Sequence, residues 1–479
     1  MGKFSERLYE LVHPNKEISV YSMATAIRCN RTWLQKVVSG ERSMNYDYIV
    51  QMCNYLKKYI GKQQVEELYE MFAEEYFGYR EYVNLRYIEQ QFKQMKDRER
   101  IVLRMVGKKQ LLREYLESDA VRESVRPALC AIADMIERGK SHKIYAHFHA
   151  GCKELHQLLF CLSGYKETKE KIDFRGIIAN GKSTGVQDEE RREISGFLTA
   201  CEYALYGLKT YVLEKNESFG ATLLPYYILT ENEALLLSED GVNSIHITDA
   251  DMVRKLREQF EQKICKKRYF AEGGEEFTCY ANLLAEMDEI DDIYSFGNEP
   301  VEECWYSDEI FGETSEQHWQ EWNACGEESR PEESDGMTAQ LKRGVYDKAC
   351  DRFRDIRIHM MFTLKGLQKF LTDENRIIKK EMKKKGEELT KLLFKKEEQN
   401  TYQNLHLLDQ NCYSFHEEFS MSVVSHRLMY FGKYRKMIEN PVMARYMKDY
   451  FLYLSGVDGC MGKEEGEEMM RCVINKKDR

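Results

Sequence analysis

Three groups of residues in this chain of 479 carry side chains whose types and spacing could do chemistry. The first is cationic and polar: Arg28, Arg31, Thr32, Trp33 and Lys36, followed by Arg42, Ser43 and Asn45. Guanidinium, ammonium, hydroxyl and amide groups at that density can donate to phosphate oxygens and to base edges in a DNA groove. The second holds His147, His149, Cys152 and His156. The first two would share one face of a strand and the last two fall four apart on a following helix, so a zinc site can be drawn. No recognised ligand spacing supports it, and core or rim residues are the preferred reading. The third, Gly181-Lys-Ser-Thr-Gly185, looks like a phosphate loop without the G-x-x-x-x-G-K spacing and reads as an ordinary turn. No Ser/His/Asp or Cys/His set can be assembled from one sequence, so no catalytic residue, metal or cofactor is assigned.

The elements that must position the first group can be read locally. Asn30 is a good N-cap for a helix from Arg31 to Val38, and Ser39-Gly40 ends it, with Gly40 able to take the left-handed conformation. Ala24 allows close approach of the preceding helix. Ile27, Cys29, Leu34 and Val37 are the inward positions, and a further amphipathic helix from about Tyr46 to Lys57 supplies Ile49, Met52, Cys53 and Leu56. Two helices around a short turn are the layout of a helix-turn-helix.

The segment from Ser22 to Leu56 resembles the lambda-repressor-like (Xre/Cro) helix-turn-helix family: an Ala, a turn residue, a capped recognition helix, then Ser39-Gly40-x-Arg42 and a closing helix ending in Leu56. The resemblance covers about the first 60 residues. It implies that Arg31, Thr32, Trp33 and Lys36 face the major groove, while Arg28, Arg42, Ser43 and Asn45 lie near phosphates. Arg28 stands where the family usually has Gly, and a positive φ there would cost a non-Gly residue about 1 kcal/mol. A homodimer is expected, because one such module covers only a half-site.

Charge is divided along the chain. Residues 1–60 contain nine Lys/Arg against five Asp/Glu, a net of +4, although the whole chain carries −10. Residues 286–336 hold 18 Asp/Glu against the single Arg330, so the acidity sits elsewhere and leaves the N-terminal segment cationic. The 14 Cys include no C-x-x-C pair, and no signal peptide precedes the first helices, which points to reduced thiols and a cytoplasmic location. Apolar runs such as Leu158 to Leu162 fall far short of the roughly 20 residues that span a bilayer, so no membrane partner is expected.

Length and periodicity predict a multidomain α and α/β protein: an N-terminal all-α helix-turn-helix (1–60), a helical connector or dimerisation element (61–140), a duplicated α/β region (141–270 and 341–465) interrupted by an acidic mobile insertion (271–340), and a tail (466–479). In the connector 15 basic residues balance 15 acidic ones over 62–140, leaving no field for a polyanion. The duplication is read from IYAHFHAGCKELHQLL, starting at Ile144, set against IRIHMMFTLKGLQKFL, starting at Ile356. That alignment pairs His147 with His359; YILTENEALLL matches SVVSHRLMYF in shape, and Met252–Phe260 matches Met443–Phe451. The insertion carries Trp305, Trp319 and Trp322 but few aliphatics to offset its ordering entropy. The run Lys379–Lys396 reads as a solvated helix face.

Such a duplicated half resembles in topology the phospholipase D-like fold, which also serves as a non-catalytic effector-sensing module in some regulators. The enzyme's His-x-Lys and Asp should fall near 224–231 and 418–426; Leu224 and Tyr226 stand where His and Lys are needed. The sequence is therefore read as a DNA-binding transcription regulator, with a small-molecule or protein effector expected near His147, Tyr226, Tyr227 and His359. The alternative is a degenerate phosphodiesterase-like enzyme carrying a DNA-targeting domain; a third reading is an interaction protein that touches no nucleic acid.

Overall fold

In a computed structural model of the chain the described residues are 2–105, 109–119, 121–138, 143–149, 153–163, 173–179, 186–206, 208–212, 224–238, 242–264, 292–300, 356–372, 402–408, 419–425, 427–431 and 436–456, with a few isolated positions. They form thirteen helices and two six-stranded mixed sheets, an α and α/β architecture. None of these helices is long and apolar enough to cross a membrane. The chain divides into two compact units, one built from 1–89, 277–429 and 439–479, the other from 90–276 and 430–438.

The first unit begins with a bundle of five helices: α1 (Lys3–Val12), α2 (Val20–Ala26), α3 (Arg31–Val38), α4 (Tyr46–Leu56) and α5 (Lys62–Phe77). Each buries one stripe, and the stripes meet in a core of Phe4, Leu8, Met23, Ile27, Leu34, Val37, Ile49, Met52, Leu56, Leu68 and Phe72. α5, which the sequence reading placed in the connector, is spent inside this bundle. Phe72 meets Phe4 edge-to-face at 5.6 Å, and Glu67 and Glu75 bind Arg7 and the Phe4 backbone at 3.2 and 3.0 Å. α6 (Tyr79–Met105) then runs from the first unit into the second.

In the second unit, α7 (Lys109–Glu117) and α8 (Arg126–Arg138) precede sheet A. Its strands β1 (Lys143–His149), β2 (Asp173–Ala179) and β3 (Lys209–Val212) are parallel, linked by α9 (Lys153–Ser163) and α10 (Val186–Leu205). β4 (Tyr226–Leu229) pairs antiparallel with β1 and leads into the meander β5 (Ala234–Leu237) and β6 (Ser244–Ile247), closed by α11 (Ala250–Ile264). The spatial order is 3-2-1-4-5-6. The central parallel strand β1 is buried on both faces from Ile144 to Phe148, as a strand covered by helices must be.

Sheet B has the same order. β7 (Asp292–Gly297), β8 (Arg357–Thr363) and β9 (Tyr402–Leu408) are parallel, and β10 (Ser420–Val424) pairs antiparallel with β7. β11 (Arg427–Phe431) and β12 (Lys436–Glu439) continue the sheet outward. Helix α12 (Leu364–Thr372) follows β8, and α13 (Pro441–Gly456) closes the half. Two expectations change here. The acidic stretch read as an insertion contains the central strand β7. The alignment of Ile144 with Ile356 sets a first strand, β1, against a second strand, β8, so it is offset by one strand, and His147 and His359 hold different topological positions. The three Trp, the 181–185 turn, Cys152 and the 379–396 run lie outside the described residues.

Candidate nucleic-acid interface

α2 starts with a reciprocal cap, in which Ser22 N–H donates to Ser19 Oγ at 3.0 Å and the Ser22 hydroxyl closes back on Ser19. It ends in a turn formed by residues 27–30. Arg28 there has φ 53°, and the amide of Cys29 donates to the Ala24 carbonyl at 2.9 Å, reversing the chain within four residues. Asn30 Oδ1 then accepts from the backbone amides of Thr32 and Trp33 at 2.9 and 3.1 Å, which starts α3. Gly40, with φ 76°, ends it.

The burial of α3 fixes what it shows. Leu34, Val37 and Val38 are inside, so Arg31, Thr32, Gln35 and Lys36 fall on one exposed arc, with Arg28 just ahead of it. None of Arg28, Arg31, Lys36 or Arg42 forms an ion pair with a described residue. Arg31 lies 5.8 Å over the ring of Tyr21, itself 64% exposed. Arg42, Ser43 and Asn45 are exposed on the segment between α3 and α4, around the buried Met44.

Two of the expected placements shift. Trp33 is half-buried against Tyr48, with ring centroids 5.1 Å apart, because at that point on α3 the indole covers the joint with α4. Cys29 is half-buried rather than inward, since the left-handed residue before it swings its side chain to the rim. Burial raises its thiol above the ordinary range and pushes that of Cys53 up to about 12, so both are neutral packing groups. Gln35 and Tyr21 were not among the candidate residues. Gln35 was legible in principle, lying three and four positions from Thr32 and Arg31 on the same helix.

The expected effector residues sit elsewhere and are enclosed. His147 and Tyr227 are cross-strand partners of β1 and β4, and the His147 ring lies 5.5 and 5.4 Å from Tyr226 and Tyr227. All three are buried. His147 Nδ1–H donates to the Pro225 carbonyl at 2.9 Å, and burial drives its pKa down to about 3. They are core residues of sheet A. His359 belongs to sheet B, stacked on Tyr294 at 4.5 Å and bonded through Nε2 to Asp292 Oδ1 at 2.9 Å. His156 packs on Phe148, whose side chain leaves β1 on the face opposite His147, so these two histidines do not converge. Among the described residues no group of three or more His, Cys, Asp or Glu is placed to hold a metal ion.

Comparison with known proteins finds nothing similar: no family model, no curated protein and no solved structure matches the chain.

Proposed function

We propose that the α1–α5 bundle binds duplex DNA through α3 and that the protein is a sequence-specific transcription regulator acting as a homodimer. The observation that carries this reading is the exposed arc of Arg31, Thr32, Gln35 and Lys36 on a helix capped at both ends and fixed by its core, with Arg28 exposed in the turn just ahead of it. Pre-ordered donors on one helix face suit base edges: Arg or Lys for guanine, Gln for adenine. Arg42, Ser43 and Asn45 beside the arc suit the phosphate backbone. A net of +4 over residues 1–60 supplies the field that draws a polyanion to this end of a −10 chain.

The test is selection from a random duplex pool followed by fluorescence anisotropy on the full chain. Arg31→Ala or Gln35→Ala should weaken the selected site by roughly 1–3 kcal/mol and relax preference at one position, whereas Arg42→Ala should weaken all sequences alike and flatten the salt dependence. Absence of enrichment, with no binding at low salt, sinks the proposal. Light scattering at a single-chain mass with and without the selected site removes the homodimer.

A further inference from the structure

We infer that α13 fuses the α1–α5 bundle and the second α/β half into one cooperatively unfolding unit, the device through which a partner bound to either is felt by the other. Nine of its sixteen residues are buried, on more than one face: Met443, Ala444, Tyr446, Met447, Tyr450, Phe451, Tyr453, Leu454 and Ser455. On the sheet side, Phe451 meets Tyr294 edge-on at 5.4 Å and Tyr450 meets Phe296 at 6.3 Å. Lys448 Nζ lies 4.9 Å over the Tyr294 ring.

On the bundle side the contacts are polar and specific. Tyr46 of α4 donates to the Leu452 carbonyl and lies 2.5 Å from Ser455 Oγ; Tyr69 of α5 donates to the Tyr453 carbonyl at 2.8 Å. From the start of α6, Asn84 reaches Tyr446 at 3.0 Å and Arg86 reaches the Tyr453 hydroxyl at 2.9 Å. Gly456 lies against the Tyr69 ring, where any Cβ would collide with it. The two sides are joined within the helix, because Tyr450 and Tyr453 stack at 6.4 Å. A helix held this way cannot leave one partner without uncovering the other, so α4, α5 and β7, which all lie more than a hundred positions before it, open together.

Hydrogen exchange on the full chain tests this with matched variants in the strand that pairs with the first strand of each sheet. Val423→Ala in β10 should speed exchange in α4 and α5 by the same factor as in β7, roughly tenfold or more. Ile228→Ala in β4 should speed exchange in sheet A and leave α4 and α5 unchanged. Loosening of β7 with α4 and α5 untouched overturns the inference, as does equal loosening by both variants. If Val423→Ala does not fold, Tyr69→Phe decides: acceleration shared by α5, α13 and β7 supports the fused unit, and acceleration confined to α5 refutes it. The ligand half of the statement rests on the DNA-binding reading. A pool of short random-sequence duplexes should slow exchange in β7 and β10 as much as in α4 and α5. Protection of α3 and α4 without β7 overturns the coupling. No protection anywhere removes the DNA reading, while the variant comparison still decides the fused unit.

Discussion

The helices that close the two α/β halves, α11 and α13, follow the same meander in sheets of the same strand order, and they meet different surroundings. α11 buries Val253, Phe260 and Ile264 and shows solvent a charged face of Arg254, Lys255 and Glu258. α13 keeps Arg445 in solvent and buries tyrosines on the side away from its sheet as well. One sheet-facing stripe is what a half of this topology needs to cover itself. The additional apolar surface on α13 has a different partner, the bundle, and it marks the second half as the one joined to the N-terminal helices. The difference is visible in composition: ADMVRKLREQFEQKI alternates like a surface helix, whereas PVMARYMKDYFLYLSG is apolar nearly all round.

The sharpest way to break this comparison is to truncate the outward face of each helix. Tyr453→Ala removes a ring packed on Tyr69, Tyr82 and Tyr450 and the hydroxyl that accepts from Arg86, so it should cost about 3–5 kcal/mol in chemical denaturation. Glu258→Ala on α11 removes an exposed carboxylate and should stay within about 0.5 kcal/mol. Equal losses would mean that the two helices are held alike.

A smaller contrast runs along α6, whose two ends are fastened in different units. In the second unit Arg98 grips Glu202 of α10 through Nε at 2.8 Å and through a second nitrogen, with both side chains nearly out of solvent. Glu202→Gln leaves a buried guanidinium without its counter-charge and should cost about 3 kcal/mol, measured as the urea midpoint of the second unit. In the first unit Asn84→Ala removes one neutral hydrogen bond to Tyr446, and about 1–2 kcal/mol is expected.

What the sequence made legible divides along the same line between local and distant causes. The α2–α3 turn was readable because its determinants are neighbours: Asn30 as cap, Gly40 as stop, and an inward stripe three and four apart. β7 was hidden, because DIYSFG is a short strand set in an acidic stretch, and a composition window averages its apolar residues with Asp291, Asp292 and Glu299. Its stability comes from β8 and β10, far away in sequence, which no local pattern reports. The one-strand offset in the repeat has a related origin. In the first half two successive strands, β1 and β2, are each followed by a helix, so β8 with α12 resembles β1 with α9 as closely as it resembles β2 with α10. Of the candidate interface, helix and cations were readable. The packing of Trp33 on Tyr48 was not, since it depends on how α4 crosses α3.

Acid should separate the halves as well. Burial lowers the pKa of both His147 in sheet A and His359 in sheet B, but for His359 the Asp292 carboxylate opposes that shift. Well above pH 6.5 both histidines are neutral in either state and neither contributes a pH dependence. As pH falls below 6.5, unfolded chains take up a proton that the folded His147 refuses until about pH 3, so stability declines through that window by up to ~1.4 kcal/mol per unit and then levels off. His147→Asn should flatten the acid limb of the second unit, read from exchange in β1 and β4 across this range. His359→Asn should alter that of the first unit less. A larger change for His359 would reverse the contrast.

The smallest expected effect lies in the turn before α3, and it separates fold from function within the bundle. Arg28 holds a left-handed backbone that a side chain disfavours by about 1 kcal/mol, and its guanidinium is exposed with no ion pair among the described residues. Nothing in the packing requires arginine. Arg28→Gly relieves the steric conflict but gives the unfolded chain more freedom, so the net gain in stability should be below about 1 kcal/mol, seen as a slightly higher unfolding midpoint. If Arg28 lies against phosphate, the same change should weaken binding to every duplex similarly and reduce the salt slope by about one. Gly40→Ala is the control. It puts a side chain at φ 76° and should cost about 1 kcal/mol without changing the salt slope. An Arg28→Gly protein that is more stable and binds duplexes unchanged would show that the strained arginine is not held there for DNA.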